Sequence, residues 1–334
     1  MEIVHSTASQ RRNPVPVPVA LDEVISWGCS GKGWNCCTDK AIPVKPYDMV
    51  RLRHSLSKSS QALINERLVH FDWDDSGVLT GWLAQQPYEG NRVACAFYEE
   101  ITNRDARAMR EQAPERFAAM PASIQHAADG PQGGTWRVAG LCGVHLGRPA
   151  ACRGYPFQRD PLWSEHPEQT AGQVFNCGSC ALAERTTVRD VMLDNSLTPF
   201  WQADDAYRAF ARYLHALGFA NIQDARYRPI PIEPAARSNL WLSLFVPDAN
   251  ARVRQAYPDQ WSTPLDIEGD RAVFQLVLED VLARVDAIVA ASGLSADALG
   301  GPEPTPSRPD IAALLAPDRA VLPPPAVIPL QVAG

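Results

Sequence analysis

The distribution of cysteine constrains the fold of this 334-residue chain more than any other feature of its sequence. Its eight cysteines are Cys29, Cys36, Cys37, Cys95, Cys142, Cys152, Cys177 and Cys180. All of them lie in the first 180 residues, and the stretch CSGKGWNCC alone contains three. Buried apolar thiols placed at random would not leave the last 154 residues without a cysteine. We therefore expect cysteine chemistry to organise the first half of the chain.

The sequence predicts neither export nor membrane insertion. The N-terminus lacks the apolar core of a signal peptide, and no run approaches the roughly 20 apolar residues of a membrane span. We expect a cytoplasmic protein, in which thiols stay reduced and clustered cysteines indicate metal or redox chemistry instead of disulfides. The net charge is −7 and no run of Lys or Arg exceeds a pair, so we expect neither nucleic acid nor a membrane as a partner.

Eight thiols can supply two four-cysteine centres, or one centre with spares, because zinc and iron–sulfur sites each take about four thiolates. Adjacent Cys36 and Cys37 point in different directions, which suits two centres or two irons of one cluster. The spacing Cys177-Gly-Ser-Cys180 is typical of a zinc knuckle and also of a redox pair. We predict all eight cysteines as metal ligands, with Cys95 the first to count as a spare. His145 is an alternative ligand close to Cys142.

Four motifs resemble the YkgJ-type, or CxxCxxCC, cysteine-cluster family, whose members are described as zinc- or iron-chelating. They are CSGKGWNCC with the following TDKAIPVKPYDMVRL, then Cys95, LCGVHLGRPAACRGYPF and CGSC, and the resemblance covers residues 26–190. It implies that Asp48 starts a helix and that Cys142, Arg148, Pro149, Cys152, Arg153, Pro156 and Phe157 lie on the family's second motif. One family cysteine is replaced within SGKGWN. The looser spacing is similar to the flagellin lysine N-methylase branch, which implies an iron–sulfur cluster.

Arg148 and Arg153 flank Cys152 and are candidates for supporting a cofactor. A four-thiolate zinc site carries about two negative charges, which are costly to bury unless donors or cations lie beside them. We predict that both arginines donate N–H bonds to ligand sulfur. The alternative is that both are solvated and that the neighbouring prolines only shape a loop.

The pattern of the remaining sequence predicts an α+β fold, in which a metal-organised cysteine-rich domain of short strands and loops packs against a helical C-terminal region. We expect an extended proline-rich arm over 1–25, the metal-binding domain over 26–195, the helical region over 196–300 and a proline-rich tail over 301–334. Local signals predict a helix from Pro46 and a hairpin in LVHFDWDDSGVLTGWL. They also predict a helix capped by Thr198 and a helix from Asp270 to Gly293.

Three functions fit these features. The first is a metal-binding protein whose cysteine cluster holds an iron–sulfur cluster or zinc, in a structural, redox or chelating role; the irregular spacing favours the cluster. The second is an S-adenosylmethionine-dependent protein lysine N-methyltransferase of the flagellin-methylase type, which would act on a protein substrate. The third is a zinc-scaffolded interaction protein with a protein partner. No catalytic residue is assigned, because the sequence contains no recognisable cofactor loop or proton-transfer constellation.

Overall fold

Small antiparallel sheets and helices alternate along the chain. The computed structural model describes residues 17–18, 23–26, 37–118, 120, 122–130, 133–155, 157–159, 170–172, 185–194, 196–258, 266–301 and 306–319. Strands are concentrated before residue 188, and from Val188 onward the described elements are helical. The predicted α+β class is confirmed at this level.

The strands are short, and all of their pairings are antiparallel. They are β1 (Val17–Pro18), β2 (Val24–Ser26), β3 (Pro43–Val44), β4 (Val69–Trp73), β5 (Leu79–Leu83), β6 (Gln85–Tyr88), β7 (Arg92–Cys95), β8 (Tyr98–Thr102), β9 (Arg137–Cys142), β10 (Phe157–Arg159), β11 (Thr170–Gly172) and β12 (Arg185–Thr187). Two sheets have three strands, in the orders β1–β11–β10 and β3–β5–β4, and the pairs β12–β2, β6–β7 and β8–β9 form two-stranded sheets. Two-stranded sheets are marginal on their own, so they depend on packing against neighbouring elements.

The predicted hairpin is confirmed as β4 and β5, joined by the turn Asp74–Val78. The Asp74 carboxylate accepts from the backbone N–H groups of Ser76 (2.9 Å) and Val78 (3.0 Å). Gly77 adopts φ +71°, a left-handed conformation that glycine enters without steric cost. Local turn chemistry therefore sets the register of this hairpin.

The helices are of very different lengths. They are α1 (Pro46–Leu56), α2 (Ser60–Asn65), α3 (Asn103–Gln112), α4 (Pro114–Ala118), α5 (Ala122–Ala128), α6 (Ala150–Gly154), α7 (Val188–Asp194), α8 (Thr198–Ala216), α9 (Pro234–Ser243), α10 (Ala251–Ala256), α11 (Ile267–Ser292) and α12 (Ile311–Leu314). The predicted start of α1 at Pro46 and the predicted end of α11 at Gly293 (φ +66°) are confirmed. Among the described residues, no helix combines the length and apolarity needed to cross a bilayer.

Two predicted helix starts are wrong. Leu197, and not Thr198, occupies the N-cap of α8, so Thr198 is its first helical residue. The helix α11 begins at Ile267 and is capped by Asp266, whose side chain accepts from the Glu268 N–H at 2.9 Å. Asp270 lies inside the first turns and is fully buried, where it forms an ion pair with another helix. The Asp270 carboxylate forms a tertiary contact. From the sequence alone, an aspartate with this role looks the same as an aspartate that caps a helix.

One large apolar core combines both halves of the chain. Its members come from α1, β4, β5, α8, α9 and α11, and include Met49, Leu52, Val69, Leu83, Phe210, Leu214, Trp241, Phe274, Val277, Leu278, Val281, Leu282 and Val285. The predicted apolar stripe of α11 is buried from Phe274 to Val285. Since a fully buried aliphatic or aromatic side chain contributes roughly 1.5–3 kcal/mol, this stripe is a major source of stability.

Two further regions pack around that core. The helices α3 to α5, inserted between β8 and β9, form a small separate cluster with both strands, centred on Ile101, Ile124 and Val138. Residues 306–319 belong to the predicted proline-rich tail. Their helix α12 packs against α8. There Arg319 pairs with Asp205 at 3.1 Å.

Candidate metal centre

Cys37 and Cys95 face each other across an antiparallel ladder. Thr38 pairs with Ala94, and the Cys95 N–H donates to the Cys37 carbonyl at 2.7 Å. This register places the two cysteines directly opposite each other, and the Cβ atoms of such partners are about 4.5–5.5 Å apart on one face of the ladder. The fold thus brings together two predicted ligands that are far apart in the sequence.

Two glutamine side chains of β6 hold the backbone around this cysteine pair. Gln86 Nε2 donates to the carbonyl oxygens of Cys95 (3.2 Å) and Tyr98 (3.1 Å). Gln85, which is buried, donates through Nε2 to the Lys40 carbonyl at 2.6 Å. Neither role could be predicted from the sequence, because an amide that binds distant carbonyls leaves no local pattern.

Cys142 lies at the end of β9, close to the same stretch of chain. It stands opposite Tyr98 in the β8–β9 pair, and the next residue, Gly143, donates its N–H to the Phe97 carbonyl at 2.8 Å. The short segment from Cys95 to Tyr98 therefore connects the ladder that holds Cys37 to the sheet that holds Cys142.

Cys152 lies on the short helix α6. The first N–H of this helix, from Ala150, donates to Asp48 Oδ1 at 2.8 Å. Cys95 is part of the main apolar core, and Cys37, Cys142 and Cys152 are half-buried and pack against it. The strands β7 and β9, the helix α6 and the segment before β3 therefore each present one cysteine to the same core.

The other four predicted ligands, Cys29, Cys36, Cys177 and Cys180, lie outside the described residues, as does Pro156 of the second motif. Within the part of the chain that the structure describes, no three His, Cys, Asp or Glu side chains form a group that could hold a metal ion. Thiolates are ligands of zinc and of iron–sulfur clusters, so the chemistry of the described donors fits such a centre. A complete set of four ligands would include cysteines from outside the described ranges.

The predicted supporting arginines lie beside Cys152. Arg148 Nη1 is 2.7 Å from the His145 ring nitrogens. Arg153 donates to the Leu146 carbonyl, and its guanidinium lies 4.6 Å from the centroid of the Phe200 ring. Burial, together with the positive charges of Arg148 and Arg51, lowers the pKa of Arg153 to about 10. Their N–H bonds to ligand sulfur stay a prediction, but the region is strongly cationic.

The alternative ligand His145 shares this cationic environment. Burial, and then the charges of Arg148 and Arg153, lowers the pKa of its ring. These effects favour the neutral imidazole, which is the form that binds metals. Its backbone N–H donates to the Cys142 carbonyl at 3.1 Å, which fixes the turn after β9.

Asp48 is a buried carboxylate that contacts two helix N-termini. Its Oδ2 accepts from the Lys45 N–H at 2.9 Å, in the capping box of α1, and its Oδ1 accepts from Ala150 at the start of α6. Burial raises the pKa of Asp48 to about 6, although both N–H donors favour the charged form. The family motif places an aspartate at this helix start, as observed, but does not reveal the second contact.

A buried ion-pair network ties α1 to α11. Arg51 Nη1 lies 2.5 Å from Asp270 Oδ2, and His54 Nδ1 contacts the other oxygen of the same carboxylate. Arg51 Nη2 also donates to the Leu146 carbonyl at 3.3 Å. Arg51 therefore links the loop before Cys152 to α11, the longest helix among the described residues, a connection that the sequence does not predict.

The chain was compared with models of protein families, with curated proteins and with solved structures. None of the three comparisons gives a match. The resemblance to the cysteine-cluster family therefore rests on the motifs themselves.

Proposed function

We propose that this chain binds a thiolate-ligated metal centre, an iron–sulfur cluster in preference to zinc, through the cysteines of its first 180 residues. The observation that carries the proposal is the pair formed by Cys37 and Cys95, which face each other on one ladder. Cys142 and Cys152 pack against the core to which Cys95 belongs. The place of Cys95 opposite Cys37 favours a role as a ligand over a role as a spare.

The charge around Cys152 supports the same proposal. Burial, and then the positive charges of Arg148 and Arg51, lower the pKa of Arg153, so this guanidinium lies in a cationic environment. A centre built from four thiolates carries a net negative charge that costs free energy when it is buried. The arginine cluster would offset that cost, and the metal centre would relieve the repulsion among the cations.

The metal centre would also organise the cysteine-rich region. The sheets of that region are small, and several of their strands are only two or three residues long. Such pairs contribute little stability alone, whereas structural zinc sites provide about 10–16 kcal/mol of apparent binding free energy. The proposal places the chain in the reducing cytoplasm, where its thiols persist.

The test is anaerobic purification of the full chain, followed by metal analysis, sulfide determination and a visible absorption spectrum. We expect iron with a similar amount of inorganic sulfide and a coloured protein. Stoichiometric zinc in a colourless protein would support the metal centre and overturn the preference for a cluster. A folded chain that holds neither metal when offered each of them would contradict the proposal.

Serine variants assign the ligands. We expect Cys37→Ser and Cys95→Ser to lower metal affinity by more than about 10–100-fold, the loss that follows even when only a residue supporting a ligand is removed. Thr38→Ser is the matched control, because Thr38 neighbours Cys37 on the ladder and its side chain points to the opposite face. Equal affinity in all three variants would remove this cysteine pair from the site.

A further inference from the structure

Asp48 makes one contact more than its own helix needs. A capping box on α1 requires only the bond from the Lys45 N–H to Oδ2. The second oxygen instead binds the Ala150 N–H, which belongs to a helix distant in the sequence. The side chain is 2% exposed, so both bonds form away from water. A buried charge is costly unless it is satisfied in this way, which makes the geometry of the two bonds specific.

The helix that receives this contact cannot hold its own position. It has five residues, from Ala150 to Gly154, which is far below the length at which an isolated helix is stable. Cys152 follows Ala150 by two residues, and its N–H donates to the Pro149 carbonyl at 2.9 Å. Any displacement of Ala150 therefore moves the Cys152 side chain.

The loop that leads into α6 is fixed to α1 as well. Arg51 donates to the Leu146 carbonyl, and Gly147 lies so close to α1 that an added Cβ would be 2.7 Å from the Arg51 carbonyl oxygen. Asp48 and Arg51 thus hold the two ends of the segment 146–150 on one helix. The buried ion pair between Arg51 and Asp270 extends this support to α11.

We propose that Asp48 is a positioning residue for the thiolate centre, which sets the orientation of Cys152 by anchoring the first turn of α6 to α1. This inference rests on the proposed metal centre, in which Cys152 is a ligand. The residue does not contact the metal in this role. Its effect reaches the centre through Ala150 and the backbone of α6.

Two variants break the anchor from opposite sides. Asp48→Asn removes one of the two acceptor oxygens, because the amide nitrogen cannot accept a hydrogen bond. Ala150→Pro removes the donor and keeps the Asp48 carboxylate and its Lys45 N–H partner in the sequence, although the proline Cδ pushes Oδ1 away from α6. Proline is favoured at the first position of a helix, and Pro149 has the extended backbone (φ −54°, ψ 156°) that a following proline requires. If Asp48→Asn does not fold, Ala150→Pro still tests the anchor.

The matched control is Asp248→Asn. Asp248 also accepts from the first N–H of a short helix, that of Ser60 at 3.2 Å, and pairs with the buried Arg53. Like Asp48, Asp248 is a carboxylate that binds the N-terminus of a short helix and lies beside a charged side chain. The helix that it binds, α2, carries no predicted metal ligand.

The first measurement uses the reduced, metal-free chain and follows alkylation of each cysteine by mass spectrometry. We expect Cys152 to react at least about 10-fold faster in Asp48→Asn and Ala150→Pro, relative to the buried Cys95, and Asp248→Asn to match the wild type. The second measurement is metal transfer from the loaded chain to a chromogenic chelator. We expect it to be faster in the same two variants only.

The outcomes separate the two proposals. If Cys152 reactivity and metal transfer in both anchor variants equal those of Asp248→Asn, the positioning role is overturned. If the wild-type chain holds no metal, the proposed function fails, and the alkylation rates still decide whether Asp48 orients Cys152.

Discussion

Charged side chains that are removed from water define this molecule at the scale of single residues. The helix α1 alone buries Asp48, Arg51 and Arg53, and its His54 is 6% exposed. Asp48 binds Ala150 of α6, and Arg51 pairs with Asp270 of α11. Because desolvation offsets most of the attraction in a buried pair, such contacts favour one arrangement of the chain more than they add stability. Removing one partner is costly because it leaves the other charge buried.

Replacing Arg51 tests this point. We expect Arg51→Met to lower the free energy of unfolding in urea by about 3–5 kcal/mol, since the buried Asp270 would lose its arginine partner and keep only the contact with His54. The control is Arg308→Met, which breaks an ion pair with Asp286 whose side chains are 50% and 39% exposed, and should cost less than about 1 kcal/mol. The double replacement Arg51→Met with Asp270→Leu should recover most of the loss. Equal effects of the two single variants would refute the argument.

At the scale of elements, the loop before α6 is shaped by its approach to α1. An added Cβ on Gly147 would lie 2.4 Å from the Ser55 Cβ and 2.7 Å from the Arg51 carbonyl oxygen. Both distances are shorter than van der Waals contact, and neither atom is at the end of a flexible side chain. Glycine is therefore required at this point if the loop is to stay on the helix.

The variant Gly147→Ala should consequently destabilise the fold by about 1–3 kcal/mol, the usual cost of inserting a methyl group into a filled space. Gly133→Ala is its control, because an added Cβ there meets no atom within 4 Å, and we expect a change within about 0.5 kcal/mol. Thermal unfolding of both variants gives the comparison. If Gly147→Ala is as stable as Gly133→Ala, the loop can leave the helix without cost.

Elements with strong local signals could be predicted from the sequence. Pro46 and the turn around Asp74 act through neighbouring residues, and the helix α1 and the β4–β5 hairpin are found where expected. The local pattern predicts too late a start for α11 because Asp270 resembles a cap, whereas its carboxylate belongs to a tertiary ion pair. Local chemistry predicts an element when the contacts of its end residues are also local.

At the scale of the whole molecule, one core joins the strand-rich and helical parts. Leu52 of α1, Leu83 of β5 and Phe274 of α11 belong to the same buried cluster. The Trp73 and Trp241 rings also meet across β4 and α9, with centroids 6.5 Å apart. The two parts therefore share the side chains that stabilise them.

This shared core predicts a single unfolding transition. Urea curves from tryptophan fluorescence and from helical circular dichroism should coincide, and removal of the proposed metal centre by a chelator should shift both midpoints downward together. Two separated transitions, with only the fluorescence transition sensitive to the chelator, would contradict a common core.

The facing of Cys37 and Cys95 belongs to the same scale and could not be predicted from the sequence. The cysteine count predicts that the thiols meet, with Cys95 as a ligand that is also the first to count as a spare. Its place opposite Cys37 depends on a ladder between segments that are distant in the sequence, together with the amide contacts of Gln86. Such register is set by tertiary contacts that no local pattern encodes.

The facing arrangement of Cys37 and Cys95 also bears on how the two thiols respond to an oxidant. The Cβ atoms of residues opposite each other on a ladder are about 4.5–5.5 Å apart, whereas a disulfide holds them roughly 3.5–4.5 Å apart. Oxidation would take two electrons and two protons from the thiols and would also have to draw the two backbone segments together. A metal ion bridges a wider gap than an S–S bond does, so the register of this ladder favours metal uptake over a disulfide between the two sulfur atoms.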